Sequence, residues 1–96
     1  MRKYEIMYIL KADLEEASRK EVMDKLASII TDNGGKVEST DESMGLRDLA
    51  YEIKDQSKGY YVVLKVSMDN KAINEFNRLV RINPNVLRHL IVVDHK

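Results

Sequence analysis

Gly45-Leu46-Arg47-Asp48-Leu49-Ala50-Tyr51-Glu52-Ile53-Lys54 sets a glycine and a basic residue at the head of an alternating apolar run. Gly45 lets the backbone bend or bulge where a side chain would clash. The alternation that follows places Leu49, Tyr51 and Ile53 on one face of an extended chain. From these residues alone the stretch is a bent strand of a half-buried sheet with a polar outer face, a structural element rather than a reaction centre.

The segments on either side complete the pattern. Upstream, a strand starting at Lys36 is interrupted near Ser43 to Gly45 and resumes through Ile53. Downstream, the turn Asp55-Gln56-Ser57-Lys58-Gly59 returns the chain into a very apolar strand, Tyr60 to Val66, which makes the pair a hairpin. Before the hairpin, Lys3 to Lys11 alternate, with Tyr4, Ile6, Tyr8 and Leu10 on the face expected to meet helices and Glu5, Met7 and Ile9 on the other. Asp13 with Glu16 three residues later has the form of a capping box. Val22, Met23, Leu26, Ile29 and Ile30 then repeat at helical spacing, about five turns, until Asn33-Gly34-Gly35 stops the helix. After the hairpin, Asp69 or Asn70 can cap a helix that turns Ala72, Ile73, Phe76, Leu79 and Val80 inward and ends before Asn83-Pro84-Asn85. Val86 to Val93 is a final strand.

The order βαββαβ, with right-handed crossovers and a shared apolar helix face, leads to an α+β, ferredoxin-like sandwich. Its four-stranded antiparallel sheet has order 4-1-3-2, both helices lie on one face, and residues 1–96 form a single domain. The other face stays open, and there Met7, Ile9, Leu90 and Val92 are more apolar than solvent favours.

Ninety-six residues, 44% of them hydrophobic, can bury one core without metal or disulfide. The chain has no cysteine, which removes disulfides and thiolate metal sites and suits a reducing compartment. No apolar run approaches the roughly 20 residues that cross a bilayer, and a charged pair followed by an alternating strand is unlike a secretory signal. A soluble, cytoplasmic protein is expected. Sixteen basic residues balance 16 acidic ones, unlike domains that grip nucleic acid by charge alone. The charges are nevertheless separated: Lys71 to Lys96 holds five basic and two acidic residues, and Asp41 to Asp55 five acidic and two basic.

Most chemistries of this topology lack their residues. A phosphate-binding enzyme needs glycine-freed amides in the first strand-to-helix loop, whereas Lys11-Ala12-Asp13-Leu14 offers no glycine and an acid. His89 and His95 are the only imidazoles, and six strand residues separate them by roughly 20 Å, too far to share one metal. No serine sits in a strained turn beside a base. Neither a cofactor nor catalysis is expected. Lys58-Gly59-Tyr60-Tyr61-Val62-Val63 partly resembles the RNA-recognition motif, but Val62 and Lys65 stand where that motif needs exposed aromatics, so Tyr60 and Tyr61 are read as strand and core residues. Arg2, Lys3 and Arg88 are either solvated strand-end charges or phosphate contacts.

The Gly45 to Lys54 stretch, in the form Gly-x-basic-polar-Leu-small-Tyr-x-Ile-basic, resembles the signature of bacterial small-subunit ribosomal protein S6. Met1-Arg2-Lys3-Tyr4-Glu5-Ile6, Lys58-Gly59-Tyr60-Tyr61 and Asn85-Val86-Leu87-Arg88-His89-Leu90 are similar to that family in order and spacing, so the resemblance spans nearly the whole chain. Met44 stands where many members have an aromatic residue, and Asp48 replaces a frequent second basic residue, leaving Arg47. The resemblance implies a structural constituent of the small ribosomal subunit. It further implies binding to the central domain of small-subunit (16S) ribosomal RNA as a pair with ribosomal protein S18. Arg2, Lys3, Arg47, Lys54, Lys58, Arg88 and His89 are then the candidate RNA contacts. The alternatives are an RNA-independent ferredoxin-like module that homodimerises through its open face or edge, and a small hydrolase.

Overall fold

A computed structural model describes Arg2–Asp94. The tail imidazole His95 lies outside the described residues. The elements run β1 (Arg2–Lys11), α1 (Glu16–Asp32), β2 (Lys36–Ile53), β3 (Gln56–Met68), α2 (Asn70–Ile82) and β4 (Val86–Val93). They form one antiparallel sheet in the order β2-β3-β1-β4, the expected 4-1-3-2 arrangement.

The alternation in β1 sorts its side chains as anticipated. Ile6, Tyr8 and Leu10 are buried against Val22, Leu26, Ile29 and Ile30 of α1 and Ala72, Phe76 and Val80 of α2, with Val62, Leu64, Val66 and Met68 of β3 completing the core. Among the described residues, none that is polar or charged joins that set other than the tyrosine Tyr8. Burial of this kind, at about 25 cal/mol per Å² of apolar surface, is the main source of the fold's stability.

Helix α1 departs from expectation at its start. It begins at Glu16 with Glu15 as its cap, and no side chain caps it. Asp13 lies two residues ahead of the cap, so its carboxylate has no first-turn amide to accept from, and the anticipated capping box does not form. By contrast, Asp69 caps α2 by accepting from the Lys71 and Ala72 amides at 3.1 and 3.4 Å.

The hairpin is tighter and longer than expected. Its turn is Lys54-Asp55, with φ of 50° and 64°, and Ile53 pairs directly with Gln56. Two left-handed residues in succession give the two-residue turn whose twist matches that of a hairpin. Without a glycine or asparagine at these positions, the sequence carries none of the usual signs of that turn. Residues 56–59, read as loop, therefore extend β3. Nor is β2 broken near Ser43: it stays extended, and its pairing with β3 carries three register shifts, between Val37 and Ser39, between Asp41 and Gly45, and between Asp48 and Ile53. Gly45 takes φ of 57° at the second of these, the bend anticipated for it.

The open face of the sheet is apolar where β1 meets β4. Cross-strand partners share a face, which puts Met7 opposite Leu90 and Val63, and Glu5 opposite Val92 and Lys65. Leu90 and Val92 remain 54% and 44% exposed. Ile9, expected to be exposed there too, is buried. A Cβ added at Gly59 would lie 2.3 Å from Ile9 Cγ2 and 3.3 Å from Leu49 Cδ2, so these two side chains close over the glycine.

Candidate nucleic-acid interface

Register divides the seven candidate contacts among different surfaces. Arg2 pairs with Met68 and lies on the helix side of the sheet, beside Asp69 and Asn70. Lys3, its neighbour, points to the open face and forms an ion pair with Glu38 at 3.8 Å. The Ser67 hydroxyl also donates to Glu38, and this bond, followed by the charges of Lys3 and Lys36, holds the Glu38 carboxyl below its usual range. Asp94 adds a second carboxylate near Lys3, its amide bonding the Lys3 carbonyl at 3.0 Å. This rim of the sheet is thus of mixed charge, and Arg2 and Lys3 do not act as a pair.

The opposite rim is different. Arg88 lies across from Ile9 and Arg47 across from Gly59, both on the open face. Lys54, at the hairpin turn, reaches the Val86 carbonyl with its ammonium at 3.3 Å, bringing the tip of the hairpin to the start of β4. Lys11 belongs here as well: it pairs with Gly59, on the same face as Arg47, and its amide bonds the Asn85 carbonyl at 3.0 Å. Sequence reasoning passed over Lys11, although the alternation of β1 already put it on the face of Met7 and Ile9. Among the described residues, none of Lys11, Arg47, Lys54 and Arg88 is in a salt bridge. Strands are spaced about 4.8 Å apart, so the rim from β2, which carries Arg47, to β4, which carries Arg88, spans roughly 14 Å across the sheet, a reach comparable to a few nucleotide phosphates.

Two candidates stand apart. Lys58 is paired with Asp48 in the hairpin, on the side opposite Arg47. His89 pairs with Tyr8 and faces α2, where Nε2 lies 2.8 Å from Asn77 Oδ1 and the ring meets Phe76 edge-on at 6.2 Å. Burial there, with the charge of Arg81 second, pushes the imidazole below its usual pKa. A neutral, half-buried ring turned to the helix layer is a packing residue.

The two adjacent tyrosines of β3 also separate. Tyr60 faces the helices, where its hydroxyl donates to Glu42 at 2.9 Å and the Arg19 guanidinium lies 4.1 Å from its ring centre. Tyr61 faces the open side, opposite Ile9 on one strand and Gly45 on the other. Only Tyr60 follows the strand-and-core reading. Tyr51, 59% exposed, lies over the same rim, where the Arg88 guanidinium donates to its hydroxyl and sits 5.9 Å from its ring centre. Among the described residues no three metal-ligating side chains converge, and no helix is long and apolar enough to cross a membrane.

Residues 3–93 match the family model described as Ribosomal protein S6. The chain belongs to the ribosomal protein S6 family. Two relatives, each named small ribosomal subunit protein bS6, align over the full length of both chains: that of Halalkalibacterium halodurans is 51% identical and that of Shouchella clausii 49%. The crystal structure of 30S ribosomal protein S6 from Thermotoga maritima superposes with a TM-score of 0.89 at 29% identity, covering 97% of this chain and 87% of that one. Members of the S6 family are structural, non-enzymatic constituents of the small ribosomal subunit, and their place is the ribosome of the bacterial cytoplasm.

Proposed function

We propose that the protein binds the central domain of small-subunit ribosomal RNA, and does so as a pair with ribosomal protein S18. The observation that supports this best is the rim formed by Lys11, Arg47, Lys54 and Arg88 on a chain of zero net charge. Phosphate binding scales with the charges neutralised, and about four cations give too small a footprint for tight binding alone at physiological salt. A basic partner seated on the apolar region of Leu90 and Val92 would enlarge that footprint while removing exposed apolar surface from water.

The exposure of Leu90 and Val92 on the edge strand β4 favours a second reading, self-association through that strand. One mixing experiment separates the two. An rRNA central-domain fragment is titrated at physiological salt with the protein alone, with S18 alone and with both, and the oligomeric state of the protein is followed by sedimentation. Tight binding only when both proteins are present supports the rRNA reading. Submicromolar binding by the lone protein, or a stable homodimer indifferent to RNA and to S18, contradicts it.

A further inference from the structure

Gly45, Tyr61, Ile9 and Arg88 form a single row across all four strands on the open face. A shallow hollow lies over this row, bordered by Met7, Ile9, Tyr61, Arg88 and Leu90. None of these residues is acidic. We propose that this hollow receives one unpaired nucleobase of the bound RNA, stacked on the Tyr61 ring with its edge toward Arg88. The inference rests on the RNA-binding reading above and assigns a part of that surface to a base rather than a phosphate.

Several features make the hollow fit such a group. Tyr61 is half-buried and so held in place, yet on its β2 side it faces a glycine; a Cβ added at Gly45 would find only the Glu42 carbonyl, at 3.9 Å. That side of the ring is left without a side-chain neighbour from the paired position. Ile9, buried beside Tyr61, supplies an apolar floor. Arg88 is fixed by its bond to the Tyr51 hydroxyl and by the Tyr51 ring, so its planar guanidinium is already oriented before RNA arrives. Lys11 and Arg47 flank Gly59, one row further along, where the phosphates next to a splayed-out base can lie. Aromatic side chains and guanidinium planes are the usual platforms for unstacked bases, and a base inside a duplex, with both faces already covered, cannot use them. Tyr60, bound to Glu42 and covered by Arg19, is unavailable for this role.

The test uses the protein paired with S18 and an rRNA central-domain fragment. Tyr61→Ala is expected to weaken RNA binding about tenfold, whereas Tyr61→Phe and Tyr61→Trp stay within about twofold of the natural protein. Because the chain contains no tryptophan, Tyr61→Trp also gives a local reporter in the unpaired protein at low salt. Its fluorescence should be quenched by single-stranded hexa-adenylate and not by a duplex of similar charge, a result that holds even if Tyr61→Ala fails to fold. Unchanged RNA affinity for folded Tyr61→Ala, or equal quenching by the duplex, overturns the base site while leaving rRNA binding intact. Loss of S18 pairing in Tyr61→Ala, with RNA affinity falling only through that loss, assigns the hollow to the partner protein and also overturns it. If the natural pair binds no RNA, it is the rRNA reading that fails.

Discussion

His89 Nε2 and Asn77 Oδ1 lie 2.8 Å apart, joining the middle of β4 to α2. With the amide oxygen as acceptor the proton sits on Nε2, and the neutral ring is the form that burial favours. His89 thus binds its titrating proton less readily folded than unfolded. Between its folded pKa and the unfolded value near 6.5 the unfolded chain holds more protons, so stability rises with pH. The contribution is complete above about pH 6.5 and is lost as pH falls through the folded pKa. Denaturant melts between pH 8 and 5 should show the natural protein losing more stability than His89→Gln. Parallel curves would mean that the imidazole is as solvated folded as unfolded.

Tyr8 is fully buried, and among the described residues its hydroxyl has no protein hydrogen-bond partner. Burial, with Glu42 and Asp24 adding smaller contributions, pushes its pKa far above the usual phenol range. An unpaired buried hydroxyl costs about 1–3 kcal/mol, so Tyr8→Phe is expected to leave stability unchanged or to raise it. Tyr8→Ala, which empties the same site, should cost about 3–5 kcal/mol. A clear loss on Tyr8→Phe in thermal and denaturant melts would show that the hydroxyl is bonded in solution.

Leu26 and Phe76 stand at the centres of the two inward helix faces, 1% and 0% exposed. Leu26→Ala and Phe76→Ala should each destabilise by about 2–5 kcal/mol, through lost transfer energy and the cavity left behind. Losses below about 1 kcal/mol at both sites would contradict the packing described for the helix layer.

These core positions were legible in the sequence because periodicity in β1, α1 and α2 is enforced by burial on one face. The hairpin turn was not, since Lys54 and Asp55 reach left-handed φ without the asparagine or glycine that usually advertises it. The start of α1 lies later than the sequence suggests for a related reason: Asp13 and Glu16 have capping spacing, but capping also requires the helix to begin directly after Asp13, and it begins only at Glu16. The candidate interface draws on residue types that the sequence displays, but its geometry is not written there. Adjacent Arg2 and Lys3 fall on opposite faces, and His89 turns to the helices while Arg88 does not. The gathering of Lys11, Arg47, Lys54 and Arg88 depends on pairing and on the reach of the hairpin, which connect residues far apart in the sequence, Ile9 with Arg88, Lys11 with Gly59 and Lys54 with Val86.

The central claim is that RNA meets the Lys11, Arg47, Lys54 and Arg88 rim and not the mixed-charge rim at Lys3. A salt titration of rRNA-fragment binding by the protein paired with S18 tests it most directly. The triple variant Lys11→Gln, Arg47→Gln, Arg88→Gln should bind more weakly and flatten the logarithmic salt dependence by about two to three units, close to one per lost phosphate contact. The double variant Arg2→Gln, Lys3→Gln should leave the slope nearly unchanged. The reverse pattern, an unchanged slope for the triple variant and a flattened one for the double, would contradict the account and move the RNA to the opposite end of the sheet.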